Sequence, residues 1–186
     1  MSSVVRQLLL AAACLAASSA VATGGKADPI HVERDGLKLE MAPLADDPVR
    51  AFFLARGFPS DDAQHIVETA CLFRSAIGNS FSAEGSPVVT VALTEWRVTP
   101  ASGRLGALKL REDWESVWKA RGVPGDAATA FYWSLFPTEQ TFYPTDYNWG
   151  FLTFGLPSGT VFDLTLSWRT GGSSHGTTIR GLQCPR

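Results

Sequence analysis

The stretch Thr160–Trp168 alternates without a break, with Phe162, Leu164, Leu166 and Trp168 on one parity and Asp163, Thr165 and Ser167 on the other. Period-two alternation gathers the large apolar groups on one face of a strand, and such a face needs a second layer to cover it. Other segments share this grammar. His31–Met41 places Val32, Leu37, Leu39 and Met41 around an Asp35-Gly36 turn, which reads as a small hairpin or an edge strand. Val88–Val98 is long and β-branched. Its odd positions run Val89, Val91 and Leu93, then Glu95 and Arg97, so either a bulge flips the face or the charges emerge past the core edge. Leu105–Leu110, the aromatic Thr129–Phe136, Trp149–Phe154 and Thr177–Cys184 complete the predicted strands. Pro157-Ser158-Gly159 and Gly171-Gly172-Ser173 supply turns between them.

Helical spacing is confined to shorter pieces. Asp46-Asp47-Pro48 opens a helix on which Val49, Phe52, Phe53 and the stem of Arg56 share a face, and Gly57 ends it. Ser60-Asp61-Asp62 opens a second helix, with Gln64 placed to complete a capping box from Asp61. Ala63, Ile66, Val67, Ala70, Cys71 and Ile77 follow the i, i+3, i+4, i+7 rule, and Gly78-Asn79 closes it. Glu112-Asp113 caps a third, short helix in which Trp114 and Trp118 stand one turn apart, ending at Gly122.

Together these elements predict a mainly β (α+β) protein. It would be an immunoglobulin-like antiparallel β-sandwich with an N-terminal two-helix segment and a short inserted helix. The strand spacing resembles immunoglobulin-like and fibronectin-like domains, without the internal Cys–Trp–Cys pattern of antibody domains. The expected organisation is a signal peptide over 1–22, a hairpin and helical pair over 23–80 packed on the sandwich, and the sandwich itself over 81–186.

The beginning of the chain sets the expected address. Arg6, the apolar run from Leu8 to Leu15 and the small-x-small sequence Ala20-Val21-Ala22 predict cleavage after Ala22, with Thr23 as the mature N-terminus. The protein is then periplasmic or secreted. The rival is a lipoprotein anchored through Cys14. Ala11 stands where that signal usually has leucine, and the apolar run continues past Cys14. Loss of Arg6 leaves fifteen basic and eighteen acidic residues, a net charge of −3. That balance points away from nucleic acid and from anionic membrane surfaces, which call for clustered Lys and Arg. No later apolar run is long enough for a membrane span. The two cysteines beyond the leader, Cys71 and Cys184, predict a disulfide in an oxidising compartment.

Candidate chemistry is sparse. The three histidines, His31, His65 and His175, show no metal-ligand spacing. His31 and His175, with Met41 and an unpaired cysteine, would make a soft site suited to copper. Ser174-His175 are neighbours on an extended segment and so point apart. Glu139 and Asp146 share one segment, but without the alternating oxygen ligands of a calcium loop. The aromatic residues carry more. Trp114, Trp118, Tyr143, Tyr147 and Trp149 lie on the inserted helix and in the region Pro137–Trp149. Either they pack as core, or they form a surface for a protein or sugar partner, since Tyr and Trp combine apolar area with a polar handle. The leading expectation is a non-catalytic exported binding or accessory protein. Its alternative is a periplasmic metal-binding accessory protein, handling copper.

Overall fold

The computed structural model describes residues 28–185. The predicted signal peptide, Cys14 and Thr23 lie outside the described residues. In chain order the elements begin with β1 (Ile30–Arg34), β2 (Leu37–Pro43), α1 (Asp46–Leu54), α2 (Ser60–Thr69) and β3 (Leu72–Asn79). They continue with β4 (Val89–Ala92), β5 (Arg97–Pro100), α3 (Arg111–Arg121) and α4 (Gly125–Ser134). The chain then enters β6 (Glu139–Phe142), β7 (Tyr147–Thr153), β8 (Val161–Thr170) and β9 (Ser173–Gln183).

The strands form two antiparallel sheets. The first has the order β1-β2-β3-β7. In the second, β8 is flanked by β9 on one edge and by β4 and β5 in succession on the other, with β6 beyond β4. Phe162, Leu164, Leu166 and Trp168 are all buried, as their alternation predicts. They meet Leu37, Leu39, Met41, Phe73 and Ile77 of the first sheet in one apolar core. Two buried indoles are tied by their N–H groups: Trp96 donates to the Ser167 carbonyl at 2.9 Å and Trp168 to the Asp35 carbonyl at 3.2 Å. A buried indole N–H without an acceptor would cost about 1–3 kcal/mol, so these bonds fix where each ring can sit.

A second apolar cluster lies on the opposite side of the first sheet. Val49, Phe53, Ile66, Trp114, Trp118 and Phe131 from the four helices pack on Leu72 and Phe151. Leu72 and Phe151 alternate with the inward Phe73 and Leu152, so the helices cover the outer face of this sheet at that end.

Several elements depart from the expectation. The second helix stops at Thr69, and Leu72–Asn79 is a strand. Cys71 adopts a positive φ of 47° there, which turns the chain out of the helix. Ala76 and Ile77 suit either spacing; what decides is that Phe73, Ser75, Ile77 and Asn79 are buried on one parity while Arg74 is exposed between them. No capping box forms from Asp61, and Gln64 instead accepts from Arg50 and donates to Glu68. Gly125–Ser134 is a helix where Thr129–Phe136 reads as an aromatic strand. Ala127, Phe131 and Leu135 are buried at intervals of four, and this packing overrides the strand preference of the aromatics. Leu105–Leu110 makes one isolated bridge, Val98 with Gly106, in place of a strand.

In the Val88–Val98 segment the face does flip. From Thr90 to Arg97 the chain advances seven residues while its partner β8 advances four, from Arg169 to Thr165. A 3-10 turn at Leu93–Glu95 takes up the excess and reverses parity, so Val91 and Val98 are both buried. The part of the chain before residue 80 supplies three of the four strands of the first sheet, in place of a hairpin laid against a finished sandwich.

Candidate functional site

Where the helices stop, the outer face of the first sheet is bare, and the strand register defines what stands on it. One cross-strand row runs Glu33, Lys38, Gly78, Tyr147, and the next runs His31, Glu40, Ala76, Trp149. A third, Ala42, Arg74, Phe151, leads under the helical layer. Directly paired residues share a face, so each of the first two rows reads polar, polar, small, aromatic. Tyr147 is 72% exposed and Trp149 69% exposed. They are two residues apart on one strand and therefore project side by side, about 7 Å apart.

The floor between these walls is made of small residues. At Gly78 an added Cβ would lie 2.5 Å from the Asp146 carbonyl oxygen and 3.0 Å from Tyr147 Cα. Glycine is what lets the turn ahead of β7 approach β3 so closely. A hollow of about 440 Å³ lies beside Gly78 among Lys38, Glu40, Asp146 and Tyr147. Another of about 320 Å³ lies beside Ala76 among Glu40, Arg74, Trp149 and Phe151. Glu40 stands between His31 and Arg74, 4.0 Å from His31 Nδ1 and 3.9 Å from Arg74 Nη2.

The turn ahead of β7 is held locally. The Asp146 carboxylate accepts from the Tyr143 N–H at 3.1 Å, and the Thr145 N–H donates to the Phe81 carbonyl at 2.9 Å. Asp146 is thus a turn-forming residue, and Glu139 opens β6. Tyr143, at the other end of the turn, is 65% exposed.

Trp114 and Trp118 do not belong to this surface, which corrects their candidacy. They are 0% and 3% exposed and stack on each other with centroids 4.9 Å apart. Trp114 donates its indole N–H to Thr153 Oγ1 at 3.0 Å. One-turn spacing on α3 aims both rings at Phe131, so of the two expectations for them it is packing as core that holds. The Lys109 ammonium lies 3.5 Å from the centroid of the Trp114 ring, and burial lowers its pKa, against the opposing pull of Asp113.

His31 and His175 are not brought together. His31 is on the outer face of the first sheet beside Glu40, whereas His175 is on β9, stacked on Trp168 with Nδ1 3.6 Å from Asp35. Met41 is fully buried, and Cys71 is bonded to Cys184, with Cα atoms 5.0 Å apart. Among the described residues no three His, Cys, Asp or Glu side chains are grouped to hold a metal ion.

Sequence reasoning did not find Lys38, Glu40, Arg74, Ala76 and Gly78, because β3 reads as helix and its partners could not be aligned. Trp133 was also missed: it is 73% exposed on α4, beside a groove of about 490 Å³ between α3 and α4. Arg111 caps that groove, its guanidinium 4.4 Å from the Tyr132 ring centroid. No helix among the described residues is long and apolar enough to cross a membrane. Neither protein-family models, nor characterised proteins, nor solved structures yield a match to this chain.

Proposed function

We propose that this is a non-catalytic exported binding or accessory protein whose working surface is the bare half of the first sheet's outer face. The observation that carries the reading is the pair Tyr147 and Trp149, both about 70% exposed, beside a floor of Ala76 and Gly78. Large rings left in water on a regular strand forgo the burial that stabilises a fold, at about 25 cal/mol per Å² of apolar area. Partner binding is the usual return for such exposure.

Export is supported by the leader-like sequence together with the Cys71–Cys184 bridge, since disulfides persist in oxidising compartments. The immunoglobulin-like assignment stays part of the proposal as a scaffold type: two antiparallel sheets over one core. The consecutive β1-β2-β3 order differs from the four-plus-three order of immunoglobulin constant domains, so no partner is inferred from that resemblance.

The test is capture from native periplasmic and extracellular material with the wild-type protein and with a Tyr147→Ala/Trp149→Ala variant. The variant should keep its thermal unfolding profile and lose the captured partner. Truncating a central aromatic typically costs 2 kcal/mol or more, roughly thirty-fold in affinity. Equal capture by both proteins would sink the proposal.

A further inference from the structure

We propose that the trough between Lys38–Glu40 and Tyr147–Trp149 holds a short stretch of an uncharged, linear chain of β-1,4-linked pyranoses with equatorial substituents. The inference rests on the outer sheet face being the working surface.

Size is the first argument. The trough spans β2, β3 and β7, about 10 Å across, and its two rows cover about 7 Å along the strands. That width admits one extended chain between the walls. It fits a short run of sugar rings laid along the strands.

Shape is the second. Both walls run parallel to β3, so the occupant is elongated along the strand direction. One wall is aromatic and the other polar, and each is continuous over two rows. A pyranose with equatorial substituents has the matching asymmetry, with flat C–H faces and a rim of hydroxyls. Its C–H face lies against Tyr147 or Trp149 while its rim meets Lys38, Glu40 and Arg74, which offer donors and acceptors together. In a β-1,4-linked chain successive rings turn over, and with equatorial substituents both faces of each ring remain apolar, so two adjacent rings can stack in turn.

Charge is the third. Glu33, Glu40 and Asp146 are interspersed with Lys38 and Arg74, with His31 at the edge. A polyanion would meet the three carboxylates and a polycation the two permanent cations, so neither sign is matched along the trough and a neutral chain is the complementary ligand.

Calorimetric titration with cellohexaose and with N-acetylchitohexaose tests this and separates plain from N-acetylated chains, with β-1,4-linked hexaglucuronate, which keeps the linkage and the equatorial substituents, as the charged control. One neutral hexasaccharide should bind with a micromolar to millimolar dissociation constant, and the control should not. Trp149→Ala and Tyr147→Ala should each weaken binding at least ten-fold. Ala76→Leu, which fills the floor and keeps both rings, should abolish it, and Trp133→Ala on the far helix should leave it unchanged.

The proposal is overturned if neither neutral hexasaccharide binds at millimolar concentration, or if binding ignores both Trp149→Ala and Ala76→Leu. If the sugars fail while native capture still depends on Tyr147 and Trp149, the ligand class is wrong and the surface assignment stands. If both fail, the surface assignment falls with it.

Discussion

Protonating His65 costs the folded protein more than it costs the unfolded chain. The ring is half-buried on α2, edge-on to Trp118, and burial is the main reason its pKa lies below the ordinary histidine value. The nearby charges of Arg121 and Lys109 act in the same direction, while Glu68 and Asp62 oppose them. The folded state therefore binds fewer protons than the unfolded state through this range. Stability from this group is fully present above the ordinary value, about 6.5, and is lost as pH falls through it, levelling off below the lowered folded pKa. In urea unfolding at a series of pH values, His65→Gln should show a shallower loss of stability between about pH 7 and 5 than the wild type; an unchanged slope would refute the assignment. Histidine, tryptophan and tyrosine roles were the least legible at this scale. Trp114 and Trp149 are the same residue type, one read on a short helix and the other at the start of a strand, and both were candidates for the surface, yet one is fully buried and the other stands in solvent. What separates them is which side of a sheet and helix layer each falls on, and that depends on pairing partners far away in the chain.

At the scale of elements, the short helices exist because they share one aromatic cluster. Phe131 is fully buried, with ring centroids 5.0 Å from Phe53, 5.2 Å from Trp114 and 4.9 Å from Trp118, so it touches α1 and α3 from α4. Helices of nine to eleven residues are marginal by themselves and take their stability from such packing. Phe131→Ala should cost about 3–5 kcal/mol in denaturant unfolding, and hydrogen exchange should show α3 and α4 loosening before the sheets. A loss under about 1 kcal/mol would mean that the cluster is not what holds the helical layer. The period-two alternation of β8 and the Asp35-Gly36 hairpin were readable because β8 and β2 each carry an unbroken alternation of large apolar residues and the turn chemistry is local. The α4 and β3 segments were not. Alanine, isoleucine and the aromatics fit both spacings, and the choice was made by the partners they pack on. With β3 read as helix, the rows that form the candidate site could not be aligned, so only its aromatic wall was visible.

At the scale of the molecule, the helical layer, the first sheet and the second sheet meet at the Cys71–Cys184 bridge. Cys71 sits between α2 and β3, and Cys184 follows β9, at a sequence separation of 113. This clamp was legible from cysteine count and compartment alone, although Cys71 lies just past its helix and not on the helix face. Constraining so long a loop restricts the unfolded ensemble, so Cys71→Ser should lower unfolding free energy by about 2–4 kcal/mol. Exchange of the β9 amides should accelerate first; protection there equal to the wild type would contradict the anchoring role. The order β1-β2-β3-β7 has a consequence in time. Lys38 and Glu40 lie more than a hundred residues before Tyr147 and Trp149, and β3 must wait for β7 to arrive on its free edge. Bringing strands of such separation together costs loop-closure entropy before any contact repays it, so the pairing is intrinsically slow. A chain ended before β7 holds only β1, β2 and β3 of this sheet and so has one wall of the trough. If the trough binds as we propose, a bound ligand reports that β7 has docked on β3 and the sheet has closed.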